Sequence, residues 1–267
     1  MSIKRILKKE GIEIVRELDT LTVNILARNI ANILASSFPT LNLNSNTLFI
    51  QISRLNMYFA KLPNGISAKY FCKNRSIYFD CNLDLTNLTD VAIHECIHYL
   101  QEKRDKHGNI IKLGLCDYTD GSLPGVGLNE ASVQLMSAKA SNLKYENVKY
   151  FDINLQTNTP MYYPLECALV QQMAYVVGED VLFDSTLHSN NNFRDQFISL
   201  TSVKDFFRIQ KNIDLLVETQ SRLELLYSAL EDVGLEEDYV QKIVNEIEKR
   251  KNSCKKNFYC HAKTNFN

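Results

Sequence analysis

The stretch that most constrains this chain is His94-Glu95-Cys96-Ile97-His98, because a helix would bring its two histidines close together on one face. At 3.6 residues per turn, positions i and i+4 lie on one face, so both imidazoles can point at a single metal ion. Glu95 is rotated by about 100° from His94. Its carboxylate therefore lies beside such an ion, where it can accept a proton from bound water. We predict a helix from Val91 onward, with N-cap candidates between Thr86 and Asp90.

Short runs rich in aromatic and β-branched residues precede this helix and favour a small antiparallel sheet. They are Thr47–Ile52, Met57–Leu62, Ile66–Phe71 and Ser76–Phe79, the last two forming a hairpin. Elsewhere apolar residues recur with helical spacing, in Ile12–Leu34, Pro164–Val177, Val203–Leu230 and Glu236–Lys251. The sequence thus predicts an α+β fold. It has an N-terminal helical segment (1–45), a core that packs the sheet on the histidine helix (46–150) and a helical C-terminal part that closes a cleft (151–267).

The charge and cysteine content excludes several classes of protein. Lysine and arginine number 30 against 31 aspartate and glutamate, a net charge of -1, so no electrostatic feature favours a nucleic-acid or membrane partner. The longest charge-free run, Asn29–Ser53, is broken by Pro39 and cannot span a bilayer. Charged residues from Glu10 onward interrupt any signal peptide. The seven cysteines form no CxxC pair, and we predict reduced thiols in a cytoplasmic protein.

A catalytic zinc site needs three protein ligands and one open position, so a third ligand is expected downstream of the two histidines. Glu130 is the strongest candidate, because it lies where a glycine-rich loop gives way to a helix. His107, Asp117 and Asp120 are weaker alternatives in turns and loops. If the site were closed and purely structural, Cys116 or His107 would have to supply a fourth ligand.

His94-Glu95-x-x-His98 followed by Asn129-Glu130-Ala131 resembles the gluzincin branch of zinc metallopeptidases, to which thermolysin belongs. The resemblance covers roughly Tyr70 to Lys139. It implies a zincin-like fold in which His94, His98 and Glu130 hold zinc. It also implies a metallopeptidase that cleaves peptides or proteins through a zinc-bound water, with Glu95 as general base and acid. Gln134 stands where thermolysin-like chains usually carry an aspartate that orients a metal-bound histidine.

The resemblance implies three further features. The strand Ser76–Phe79 resembles the edge strand that binds extended substrate, and Tyr162 or Tyr163 would stabilise the oxyanion, with His188 in a predicted loop as the alternative. The same order of elements is similar to intracellular minigluzincins that cleave transcriptional repressors, which would imply one dedicated protein partner. Outside enzymes, a zinc ion could simply pin two helices together. The oligomeric state is left open.

Overall fold

A computed structural model of the chain describes residues 3–63, 66–85, 90–116, 123–230 and 237–262. The fold is α+β, as predicted. The chain divides into a first compact unit (residues 1–114, 136–143 and 186–189) and a second one (residues 115–135, 144–185 and 190–267). Among the described helices, none combines the length and the apolar character needed to cross a lipid bilayer. The N-cap candidates at residues 86–89 lie outside the described residues.

The first unit combines a four-stranded sheet with helices and a separate hairpin. Strands β1 (Glu13–Glu17), β2 (Asn56–Lys61), β3 (Ala68–Phe71) and β4 (Ser76–Asp80) form the sheet in the order β1-β2-β4-β3. The hairpin pairs β5 (Glu102–Arg104) with β6 (Ile110–Leu113). The helices are α1 (Ile3–Lys9), α2 (Thr20–Ser37), α3 (Ser45–Ile52) and α4 (Asp90–Leu100), with a 3₁₀ turn at Pro39–Leu41.

The sheet is mixed, so the prediction of an antiparallel sheet is wrong for one of its three strand pairs. Strands β2 and β4 are parallel, whereas β1–β2 and β3–β4 are antiparallel. The sequence also suggested Ser76–Phe79 as an edge strand, but β4 lies between β2 and β3. Ile77, Tyr78 and Phe79 are fully buried, and such a continuous apolar run is typical of an interior strand. The strand at this edge of the sheet is β3.

Strand β1 replaces the first part of the helix predicted for Ile12–Leu34. All five of its residues are exposed, and it pairs with β2 across an irregularity between Ile14 and Arg16. Helix α2 begins only after Asp19, whose carboxylate accepts the N–H of Thr22 at 2.9 Å. The cap at Asp19 therefore fixes a helix start that apolar spacing alone places too early.

The segment Thr47–Ile52, predicted as a strand, belongs to helix α3. The side chain of Asn44 precedes this helix and accepts the N–H of Thr47 at 3.0 Å, as an N-cap does. Leu48 and Ile52 lie four residues apart and are both buried, so they occupy one helix face. A short apolar run is compatible with either structure, and here the cap at Asn44 favours the helix.

Helix α4 packs against β3 and buries its apolar side. Ile93, Cys96 and Ile97 are fully buried. Tyr99 meets the ring of Tyr70 edge-on, with ring centroids 5.9 Å apart. Burying a large aliphatic side chain contributes about 1.5–3 kcal/mol, so these contacts hold α4 firmly beside the sheet.

The second unit is mostly helical. It contains the hairpin β7 (Glu146–Tyr150) and β8 (Ile153–Thr157) and the helices α5 (Val126–Ala140), α6 (Pro164–Val177), α7 (Glu179–His188), α8 (Asn192–Leu200), α9 (Val203–Leu230) and α10 (Glu237–Ala262). The last residues of α5 and of α7 cluster with the first unit. Helices α6 and α9 have their predicted bounds, and α10 continues beyond its predicted end at Lys251. The rings of Phe193, Phe197 and Phe206 form part of the core.

Candidate metal centre

Helix α4 presents the two histidines of the HECIH segment on one face. His94 and His98 are buried, with 8% and 9% of their surface exposed. Their Nε2 atoms lie 2.9 Å apart, and their ring centroids lie 4.7 Å apart. Two ring nitrogens this close need a proton or a cation between them, because two lone pairs facing each other repel. At this distance one ring can donate its N–H to the other, or both nitrogens can face one metal ion.

A carboxylate from α5 completes a group of three potential metal ligands. Glu130 is half-buried, and the ligand atoms of His94, His98 and Glu130 all lie within 4.8 Å of one another. Among the described residues, no further His, Cys, Asp or Glu belongs to this group. Two histidines and one glutamate are the protein ligands of a common class of catalytic zinc site, whereas structural zinc sites have four protein ligands.

The alternative ligands considered from the sequence do not join this group within the described part of the chain. His107 is exposed at the turn of the β5–β6 hairpin, where its N–H donates to Asp105 at 2.8 Å. Cys116 is buried but is not one of the grouped ligands. Asp117 and Asp120 lie outside the described residues.

Helix α5 is buried along most of its length. Residues 131–138 are all buried, and they include Gln134, one turn after Glu130. Near the start of the helix, the side chain of Asn129 accepts the N–H of Leu115 at 3.0 Å. The residues before and after Glu130 on this helix are thus held by packing and hydrogen bonding, which restricts the directions that the Glu130 carboxylate can take.

Glu95 lies beside the histidines and faces the sheet edge. Its Oε2 accepts the backbone N–H of Tyr70 at 2.5 Å, and its side chain is half-buried. Because successive backbone N–H groups of a strand point to opposite sides, this contact shows that the Tyr70 N–H points away from β4. Glu95 therefore links α4 to the outer edge of β3, with which no strand of the described residues pairs.

Arg104 connects the end of β3 to the segment after α4, a role that no sequence pattern predicted. Its guanidinium donates to the carbonyl of Cys72 at 2.8 Å, to that of Gly108 at 2.7 Å and to the carboxylate of Glu102 at 2.8 Å. The Glu102 side chain is only 3% exposed. Burial, together with the nearby Glu102 carboxylate, raises the pKa of Tyr70 above its usual range. The three donors of one planar fork thus hold the end of β3 in place.

The residues suggested for oxyanion stabilisation have the following positions. Tyr162 and Tyr163 are half-buried and precede α6. Tyr163 has a left-handed backbone, with φ 52°, which is strained for a bulky residue, and its carbonyl accepts the N–H of Cys167 at 2.8 Å. His188, expected in a loop, is instead the exposed last residue of α7. The oxyanion role of these residues stays a prediction.

Comparison with models of known protein families, with curated proteins and with solved structures finds no match for this chain. Three features of the site bear on its chemistry. These are the ligand group, the carboxylate of Glu95 and the outer edge of β3.

Proposed function

We propose that this chain is a zinc-dependent metallopeptidase of the gluzincin type, in which His94, His98 and Glu130 bind the metal. The observation that carries the proposal is the grouping of these three ligand atoms within 4.8 Å, with Glu95 adjacent but outside the group. A structural zinc site would need a fourth protein ligand, and none joins the group among the described residues. The donor set therefore favours a site with one position open to substrate.

The spacing of the donors fits a zinc ion. Two nitrogens bound to one tetrahedral zinc, each at about 2.0–2.1 Å, lie about 3.3 Å apart. The Nε2 atoms of His94 and His98 are 2.9 Å apart, so a small rotation of either ring opens the required space. A zinc ion bound there would supply Lewis-acid polarisation of a carbonyl and would lower the pKa of its water to about 7.

In this proposal Glu95 is the general base and acid. Its carboxylate lies beside the histidine face of α4 and is half-buried, so it can accept a proton from the attacking water and return it to the leaving nitrogen. General acid–base catalysis of this kind contributes about 10²–10⁴-fold. The hydrogen bond from the Tyr70 N–H fixes the carboxylate on the β3 side of α4.

The substrate in this proposal is an extended peptide added to the sheet at β3. Strand β3 is the edge strand on the side of Glu95, whereas β4 has partners on both sides. An extended peptide can add to a free edge through main-chain hydrogen bonds. The scissile carbonyl of such a peptide would then lie next to the ligand group. This replaces Ser76–Phe79 as the strand expected to bind substrate.

The test is to measure zinc content and peptide cleavage on four proteins: wild type, Glu95→Gln, Glu130→Gln and the control Glu218→Gln. Glu218 is an exposed glutamate on α9 that pairs with Arg222. We expect about one zinc per chain in wild type, Glu95→Gln and the control. We expect weakened metal binding in Glu130→Gln, and loss of cleavage by about 10²-fold or more in Glu95→Gln.

Two results would overturn this proposal. One is a wild-type protein that binds no zinc even after incubation with the ion. The other is a Glu95→Gln variant that cleaves as fast as wild type. A wild type that binds zinc through the three ligands but cleaves only one protein in a proteome-wide digest would narrow the substrate to a dedicated partner.

A further inference from the structure

The first turn of α5 is capped by a carboxylate from a distant helix. Asp214, on α9, accepts the N–H of Gly125 on Oδ2 at 2.9 Å and the N–H of Gly127 on Oδ1 at 2.8 Å. The first four N–H groups of any helix lack partners within it, and here one side chain satisfies two of them. A negative charge at this end also interacts favourably with the helix dipole.

The backbones of α5 and α9 approach each other closely at this point. A Cβ on Gly127 would lie 2.9 Å from the carbonyl oxygen of Ile213. Gly125 has φ +88°, which side chains rarely allow, and a Cβ there would lie 2.5 Å from the side-chain Nε2 of Gln210 and 3.2 Å from the carbonyl oxygen of Leu115. Only glycine fits at these two positions, so the sequence pattern Gly-x-Gly permits the contact that Asp214 completes.

Glu130 follows Gly127 by three residues, less than one helical turn. A shift of the first turn of α5 therefore displaces the Glu130 carboxylate directly. We infer that Asp214 is a positioning residue for the third metal ligand, holding the start of α5 so that Glu130 reaches the two histidines. This inference rests on the proposed metal site, and it adds a residue that sequence reasoning did not identify.

The bidentate geometry makes the inference specific. An aspartate presents two acceptor oxygens to the two glycine N–H groups, whereas an asparagine presents one oxygen and one NH₂ group. One of the two N–H groups would then face a donor. Burial raises the pKa of Asp214, while the hydrogen bonds from Gly125 and Gly127 act in the opposite direction, so these bonds are what favours the charged form.

The experiment compares wild type, Asp214→Asn and Gly127→Ala, with Glu218→Gln as the charge-matched control on the same helix. Zinc affinity is measured by competition with a chelator, the visible spectrum is recorded with cobalt in place of zinc, and thermal unfolding of the metal-free proteins is followed separately. We expect Asp214→Asn to raise the zinc Kd by about 10- to 100-fold, the range found when groups that orient metal ligands are removed. The cobalt spectrum should change as well, because the coordination geometry changes.

Gly127→Ala disturbs the same contact between α5 and α9 from the α5 side. It should raise the zinc Kd and change the cobalt spectrum, as Asp214→Asn does. The control Glu218→Gln should leave both unchanged. A purely structural role for Asp214 predicts a lower unfolding temperature, with the zinc Kd and the cobalt spectrum of the folded protein unchanged, and that result overturns the inference alone. A wild type that binds no zinc overturns the proposed function and this inference together.

Discussion

Glu166 is a carboxyl buried in the second unit, and its replacement by glutamine should change how stability depends on pH. It lies on α6 and is fully buried. Its Oε1 accepts a hydrogen bond from the Gln220 side chain at 2.7 Å, whereas its Oε2 has no hydrogen-bond partner within the described part of the chain. Burial raises the pKa of Glu166 from 4.5 to about 7. The hydrogen bond from Gln220 acts in the opposite direction but is the smaller effect.

The size and the sign of the effect follow from this pKa. A change from 4.5 to about 7 corresponds to about 3 kcal/mol, at about 1.4 kcal/mol per tenfold change in the ionisation constant. Between these two pH values the folded chain holds a proton that the unfolded chain releases. The free energy of unfolding therefore falls as the pH rises through this window, and the full loss is reached above pH 7.

Two groups that interact with Glu166, the Tyr150 hydroxyl and the Cys254 thiol, stay neutral in this range and do not obscure the effect. Burial, together with the charge of Glu166, raises the pKa of Tyr150 above its usual range and that of Cys254 to about 12. We expect the difference in unfolding free energy between Glu166→Gln and wild type to grow by about 3 kcal/mol from pH 4 to pH 8. The pH-independent part of this difference is negative, meaning that Glu166→Gln lowers the unfolding free energy, because the introduced NH₂ group is buried without an acceptor.

The assay is urea unfolding at a series of pH values, followed by circular dichroism, with a chelator present so that metal binding does not contribute. Glu218→Gln is the control, because it removes an exposed carboxyl from the same unit. Parallel pH profiles for wild type and Glu166→Gln would refute the reasoning. They would show that Glu166 ionises in the folded chain much as it does in the unfolded one.

Two further predictions concern the first unit. Arg104→Ala should lower the free energy of unfolding by about 3 kcal/mol, because the buried Glu102 carboxylate loses the guanidinium at 2.7 Å and keeps the more distant one of Arg75, whose Nε lies 4.0 Å away. Arg104→Lys should recover only part of this loss. Urea unfolding measures the change, and a loss in unfolding free energy of less than about 1 kcal/mol for Arg104→Ala would contradict the role of the guanidinium. In the native protein a thiol reagent should modify Cys81, which is exposed, and not Cys96, which is fully buried with its thiol pKa raised by that burial. Mass spectrometry of the labelled peptides measures this, and equal labelling of both cysteines would contradict the packing of α4.

The sequence predicted the parts of the fold that depend on regular spacing. The bounds of α6 and α9 agree with the apolar periodicity, and His94 and His98 share a helix face because their spacing requires it. Glu130, chosen as the third ligand from its place after a glycine-rich loop, lies in the ligand group. The helix bounds and the shared face of the two histidines are local, so a single stretch of chain contains the information. The position of Glu130 is not local, and it was expected because a catalytic zinc site needs a third ligand.

The features that the sequence did not predict depend on contacts between distant residues. That β4 lies inside the sheet is decided by its parallel pairing with β2, which no short window of sequence contains. The cap of α5 comes from Asp214, 87 residues after Gly127. Arg104 contacts the carbonyl of Cys72, 32 residues before it. Only the Gly-x-Gly pattern at 125–127 hinted at one of these contacts, since it permits close helix packing.

The two edges of the four-stranded sheet are unequal, and this affects which other chains can pair with it. Strand β1 consists of exposed residues, carries charged side chains and has an irregular register between Ile14 and Arg16, features that discourage a foreign strand from adding. Its Glu13 also pairs with Lys61 of β2 at 3.2 Å. The opposite edge, β3, lies beside α4 and turns the Tyr70 N–H toward Glu95. These features of β1 oppose edge-to-edge self-association through that strand, whereas the β3 edge is the one that the proposed peptide substrate would use.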